Sequence, residues 1–175
     1  HRLIQAKRIK LDATNLARAE RKNLMEIQLN TNIAMENNIN NNKFYAGGFL
    51  YNPKTRSVLL HKRDGKTKIN PNMWAFFGGL KEGNETPRET FIRELNEELN
   101  IDIQKNEIKA LCDYLNEELQ TYRFVFYVES DLEKSQMKLG EGEDFDWISL
   151  GKVFEYNLTE KTKKDLQVFL KLIDL

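Results

Sequence analysis

Hydrophobic and polar positions change rhythm several times along the chain, and each change marks an element. Residues 1 to 29 place Ile9, Ala13, Leu16, Leu24 and Ile27 at loosely helical spacing among Lys and Arg, so an N-terminal helical segment is expected, with Glu20 interrupting its stripe. Between Asn30 and Asn42 seven of thirteen residues are asparagine, a composition that favours turns over helix or strand and reads as a linker. The rhythm alters at Lys43. Phe44, Tyr45, Phe49, Leu50 and Tyr51 predict a strand, and Ser57 to Lys62 predicts its hairpin partner across Asn-Pro-Lys-Thr. Ile108 to Tyr114 and Thr121 to Val128 read as further strands and Phe145 to Ile148 as a short one. Thr159 to Ile173 reads as a closing amphipathic helix.

A second helix is fixed by several independent signals. Thr86 can act as N-cap, Pro87 occupies the first helical position, where its missing N–H costs nothing, and Glu89 completes a capping box. At about 100° per residue, Phe91, Ile92, Leu95 and Leu99 form one apolar stripe suited to packing on a sheet. Strands with two helices among them give an α/β class built on a mixed sheet. Residues 1–42 are expected to form a helical segment and linker, and residues 43–175 a catalytic domain.

Composition narrows the function. Lys plus Arg and Asp plus Glu both number 27, so bulk charge gives no reason to expect a nucleic-acid binder, and any affinity for phosphate must be local. Cys112 stands alone, which excludes an internal disulfide and a cysteine-based zinc cluster, and its apolar neighbours Ala110 and Leu111 suit a buried thiol. His1 and His61 are too few and too far apart for a zinc site. No apolar run approaches the roughly 20 residues needed to span a bilayer, and the N-terminus shows no signal-peptide core. A soluble, cytoplasmic protein is therefore expected. His1 in place of Met is what a fragment of a longer protein would show.

The chemistry is concentrated between Gly78 and Ile101. On the helix, Glu94, Glu98 and Glu97 fall beside the apolar stripe within an arc of roughly 100°. Like charges so spaced repel by a few tenths of a kcal/mol per pair, and a hard divalent cation with oxygen ligands relieves them directly. A solvated acidic face is the alternative for an arbitrary Glu-rich helix. Arg93 lies four residues after Glu89, at the spacing of a helical ion pair.

The full stretch resembles the Nudix box. In that pattern a glycine is followed after five residues by Glu. Seven residues later come Arg-Glu, an aliphatic residue, any residue, Glu-Glu, any residue, Gly and an aliphatic residue. Gly79, Glu85, Arg93, Glu94, Leu95, Glu97, Glu98 and Ile101 all fall on it. A chance match to the glycine and five charged positions is on the order of 10⁻⁷ per starting point. Asn100 stands where the pattern has glycine, at a helix end that wants a left-handed backbone, for which asparagine is the next best residue.

The resemblance implies an α/β/α sandwich around a mixed sheet and an enzyme that uses Mg²⁺ or Mn²⁺ to hydrolyse a diphosphate linkage. By position, Glu94, Glu97 and Glu98 would be metal ligands, the Gly78 carbonyl a further one, and Arg93 and Glu85 supports. The family also implies a loop glutamate before a late strand, as ligand or as the base that activates water. Here that is Glu141 first and Glu143 second, in Gly-Glu-Gly-Glu-Asp at 140 to 144. Trp74, Phe76 and Phe77 resemble the family's aromatic approach to its box. Core packing is the commoner use of such residues, and Phe76 is the candidate for a substrate contact. Arg63, at the end of its strand, could reach a phosphate.

A small nucleotide substrate follows, with a MutT-like nucleoside triphosphate pyrophosphohydrolase as the leading subtype. ADP-ribose or a nucleotide sugar is the alternative within the same chemistry. A Nudix module that binds a nucleotide without cutting it is a different class, disfavoured because all four box glutamates are kept. Nucleic acid is disfavoured by the neutral charge. A homodimer could form through Leu16, Leu24 and Ile27.

Overall fold

The computed structural model describes residues 43–174, with the exception of Gln120. The helical segment and linker expected over residues 1–42, and the packing expected of Leu16, Leu24 and Ile27, lie outside the described residues. Seven strands and two long helices follow one another as β1 (Phe44–Asn52), β2 (Ser57–Lys62), β3 (Trp74–Ala75), β4 (Phe77–Leu80), α1 (Pro87–Leu99), β5 (Ile108–Asn116), β6 (Thr121–Glu129), β7 (Asp144–Ser149) and α2 (Glu160–Ile173). All seven strands join one mixed sheet.

β1 is the hub, and its neighbours explain the geometry of the site. One edge pairs in parallel with β6 from Phe44↔Tyr122 to Tyr51↔Glu129. The other edge is shared: its first half pairs with β4 and its last three residues with β2 in the expected hairpin. β2 therefore diverges from β1, and the segment Trp74–Leu80 fills the wedge, pairing first with β2 at His61↔Ala75 and then with β1 at Gly48↔Phe77. β7 closes the far edge of β2. β3 and β4 are too short to show a period, and their glycines and aromatics masked them in the sequence.

Alternation along β1 and β6 sends successive side chains to opposite faces. Gly48 is level with Phe126, and Phe126 stacks on Phe91 of α1 at 5.7 Å between ring centroids. Phe49 and Tyr51 point the other way, each meeting Phe169 of α2 edge-on at 4.9 Å. The two helices thus cover opposite faces, giving the α/β/α sandwich. Phe91, Leu95 and Leu99 are fully buried under α1, and Leu166 and Phe169 under α2. Removing one such Phe side chain costs about 3–5 kcal/mol. A β-bulge between Ala110 and Cys112 lets Leu111 join the α2-side core.

Trp74 straps the wedge to α2: its N–H donates to the Asn157 carbonyl at 2.8 Å, and its own carbonyl accepts from the Thr159 N–H at 3.0 Å. Thr159 in turn caps α2, its hydroxyl accepting from the Thr162 N–H. Among the described residues, no helix is long and apolar enough to cross a membrane.

Candidate active site

α1 starts where its sequence says it should. The Thr86 hydroxyl accepts from the Glu89 N–H while the Glu89 carboxylate accepts from the Thr86 N–H, and Pro87 opens the helix. Asn100 ends it in the left-handed conformation at φ 53°, ψ 42°. Between these caps the three box glutamates sit in three different environments.

Glu98 is only 4% exposed, and its Oε2 is buried without a hydrogen-bond partner. Burial, and then the charge of Glu94, push its pKa up to about 8. Glu94 is partly buried, and its pKa is also raised, by burial first and then by Glu97 and Glu141, against the pull of Arg93. Glu97 is exposed. Burial and mutual repulsion thus make two of these crowded acidic groups resist ionisation.

Arg93 organises the group. Its Nε donates to Glu85 Oε1 at 2.8 Å, Nη1 to Glu94 Oε1 at 2.7 Å and Glu97 Oε2 at 3.1 Å, and Nη2 to the Leu80 carbonyl at 3.0 Å. The Arg93–Glu89 pair expected from helical spacing is not formed. Glu89 is committed to the capping box and to Lys105, whereas Glu85 on the preceding turn faces the guanidinium. Burial opposes ionisation of Glu85, but bonds from Arg93, the Glu82 N–H and Thr90 outweigh it and hold the carboxyl below its usual range.

The glycines at the end of β4 make room for these groups. Gly78 has φ +139°, a region L side chains rarely adopt, and a Cβ there would lie 2.4 Å from the Gly47 Cα. A Cβ on Gly79 would come within 2.1 Å of Glu94 Oε1, so only glycine lets the carboxylate lie against the strand.

The loop before β7 is hooked onto the end of α1. The Lys138 N–H donates to the Leu99 carbonyl at 2.9 Å and the Gly140 N–H to the Glu98 carbonyl at 2.8 Å, satisfying helix-end acceptors. Glu141 follows, close enough for its charge to raise both Glu94 and Glu98. Glu143 instead pairs with Lys62 at 2.9 Å. Under this loop His61 is buried and held neutral, its pKa lowered to about 4 by burial and then by Arg63, against the pull of the Phe76 backbone.

A cleft of about 680 Å³ opens beside Gly79 on the α2 side of the sheet. Arg63 and Phe76 both line it, as do Tyr45, Arg123 and Thr162. Arg63 is anchored by its Nε bond to the Ile69 carbonyl at 3.1 Å. Phe76 is mainly core, 4.8 Å from Phe49 between centroids, with one side on the cleft. Cys112 lies away from the carboxylates, its thiol pushed up to about 12 by burial and by Asp165, an unreactive state.

Comparison with known proteins settles the family. The NUDIX domain family matches residues 42–172. The chain belongs to the Nudix family. Its reaction class is therefore hydrolysis of a pyrophosphate bond, in a family that binds small nucleotides and generally uses divalent metal. Over 137 residues the chain is 28% identical to dihydroneopterin triphosphate diphosphatase of Haemophilus influenzae, covering 69% of this chain and 83% of that relative. MutT of Methanosarcina mazei shares the fold, with a TM-score of 0.61 at 19% identity over 75% of this chain and 95% of its own. A bifunctional NMN adenylyltransferase/ADP ribose pyrophosphatase of Francisella tularensis, complexed with AMP and a Mn ion, gives a TM-score of 0.58 at 21% identity. That match covers 81% of this chain and 46% of the other.

Sequence reasoning missed Tyr45 and Arg123, which line the cleft, Asp165 paired with Arg123, and His61 beneath the loop. A signal existed for two of them: Arg123 interrupts an apolar strand, and Asp165 interrupts the buried stripe of α2 formed by Thr162, Leu166 and Phe169.

Proposed function

We propose that this Nudix enzyme hydrolyses a nucleoside triphosphate or a similar triphosphate ester, releasing diphosphate, with Mg²⁺ or Mn²⁺ held by Glu94, Glu97 and Glu98 and by the Gly78 carbonyl. The observation that carries the reading is the buried Glu98 carboxylate, with an unpartnered Oε2 and a raised pKa, beside Glu94. Such a group is costly in a folded protein unless a cation meets it. Among the described residues no three carboxylates already converge into a metal cage. The reason is visible: Arg93 engages Glu94 and Glu97, and these carboxylates must turn from it to join Glu98.

Held by these residues, a divalent ion would supply charge neutralisation and a more acidic water. The chain's own residues do the rest. Glu141 accepts the proton of the attacking water as its oxygen bonds to phosphorus and the bridging P–O bond breaks. Glu141 is preferred to Glu143 because its charge reaches Glu94 and Glu98, while Glu143 is paired with Lys62. Arg93, tied to Glu85, pairs with Glu94 and Glu97 and balances their charge while no cation does so. Arg63, on the cleft wall, binds the non-bridging phosphate oxygens.

The triphosphate reading is supported by the relative from Haemophilus influenzae, named for a triphosphate. The catalytic unit is proposed to be residues 43–175, with Leu16, Leu24 and Ile27 available to a second copy. The test is turnover of nucleoside triphosphates, dihydroneopterin triphosphate, ADP-ribose and a nucleotide sugar with Mg²⁺, products being separated by chromatography. Release of diphosphate from a triphosphate, abolished by chelator, is expected. Full activity in excess EDTA, or cleavage of ADP-ribose alone, would overturn it.

A further inference from the structure

The cleft beside Gly79 carries a second piece of chemistry at its floor, which hydrolysis of a phosphate chain does not use. Arg123 is 8% exposed and Asp165 2% exposed. The Arg123 Nε and Nη2 both donate to Asp165 Oδ2 at 3.2 Å. The other carboxylate oxygen, Oδ1, accepts from the Tyr114 hydroxyl at 3.1 Å and the Cys112 thiol at 3.8 Å. All of the acceptor capacity of Asp165 thus goes to fixing one guanidinium and its surroundings. The guanidinium also lies over the Tyr45 ring, 4.5 Å from its centroid. The Tyr45 side chain also shares a hydrogen bond with the guanidinium, Nη1 stands outside the pair with Asp165, and Arg123 lines the cleft.

A buried ion pair is a weak source of stability, since apolar residues of the same volume generally serve as well. What this one provides is a rigid donor group at a known place. Around it the cleft mouth is apolar: Ile69, Leu80 and Leu119 line it and are 61%, 56% and 59% exposed, unusual for large aliphatic side chains. An apolar slot over an oriented guanidinium fits a planar ring, stacked on its faces and read at its edge. Arginine donates and never accepts, so the matching edge is a ring nitrogen beside a carbonyl oxygen. An exocyclic amine at the same place would set donor against donor.

We propose that Arg123, held by Asp165, selects the head group of the substrate, admitting a 6-oxopurine or the equivalent oxo edge of another fused bicyclic ring and rejecting a 6-aminopurine. This rests on the reading of the site as a nucleotide hydrolase and adds the class of heterocycle. GTP and ITP share the oxo edge and differ in the 2-amino group, whereas ATP carries the 6-amino group. With Mg²⁺, kcat/KM for GTP and for ITP should exceed that for ATP by about 10-fold, the low end of the discrimination a base-edge contact gives. Arg123→Lys keeps the charge but loses the planar fork, and should bring the GTP to ATP ratio within a few fold while a melting curve confirms the fold.

Metal-free wild-type protein titrated with GMP, IMP and AMP by calorimetry reads the head group without turnover. GMP and IMP are expected to bind, and AMP to bind at least about tenfold more weakly. Equal binding of the three, tighter AMP, no binding of GMP, or an unchanged preference in a folded Arg123→Lys protein would overturn the proposal. Selective binding without hydrolysis of any triphosphate would instead bring down the proposed reaction and leave the head-group assignment standing.

Discussion

Replacing Glu98 by Gln separates the charge of this residue from its shape. Glu98 is 4% exposed and its Oε2 lacks a partner. In the metal-free protein its pKa stands at about 8 against the usual 4.5. Between these values the folded protein keeps a proton that the unfolded chain has released, so raising the pH favours unfolding. The stability present below about pH 4.5 is lost as pH rises toward about 8, by at most ~5 kcal/mol at ~1.4 kcal/mol per pKa unit, and by less as water enters the site. Gln cannot ionise. In EDTA, Glu98→Gln should melt higher than wild type at about pH 8.5, by roughly 4 °C per kcal/mol recovered, and the two should converge near about pH 5. Added Mg²⁺ should narrow the gap, because binding at about 100 times Kd stabilises wild type by roughly 2.7 kcal/mol and the variant hardly at all. Scanning calorimetry across that pH range, with and without metal, reads both effects. A variant that melts no higher than wild type at alkaline pH in EDTA, or that gains as much from Mg²⁺, would refute the reasoning.

Glu97 is exposed, so Glu97→Gln should leave the melting temperature within a few degrees while turnover falls by about 100-fold or more, as for loss of other transition-state charge contacts; near wild-type turnover would remove it from the site. A chain starting at Lys43 should keep the turnover of the full chain once circular dichroism shows that it is folded, and a large loss would mean that residues 1–42 shape the substrate site. With its thiol pushed up to about 12, Cys112 should react with iodoacetamide at neutral pH far more slowly in the native protein than in urea; equal rates would contradict its placement.

What could be read from the sequence was whatever depends on local spacing. The capping box at Thr86 and Glu89, the left-handed Asn100 and the β1–β2 hairpin are each set by residues within a few positions of one another, and each forms as expected. The ion partner of Arg93 also looked local, but Glu85 lies eight residues back across the turn into the helix, and the capping box had already engaged Glu89. β3 and β4 acquire strand character only because β1 and β2 diverge, a property of the whole sheet. The pair of Arg123 and Asp165 spans 42 residues, and only the intrusion of a charge into each apolar pattern hinted at it.

The hook between the 138–140 loop and α1 has a consequence for how the site is lost. With Lys138 and Gly140 donating to the carbonyls of Leu99 and Glu98, the loop extends the ladder of the helix by two rungs. Fraying at a helix end is the cheapest local opening a protein has. Here it cannot release the last turn, with Glu98, without also releasing the segment that leads into Glu141. The carboxylates of two distant chain segments then come and go as one cooperative unit. Amide exchange at Gly140 and Lys138 should keep pace with that of Asn100, whose N–H closes the same turn on Asn96 at 2.8 Å.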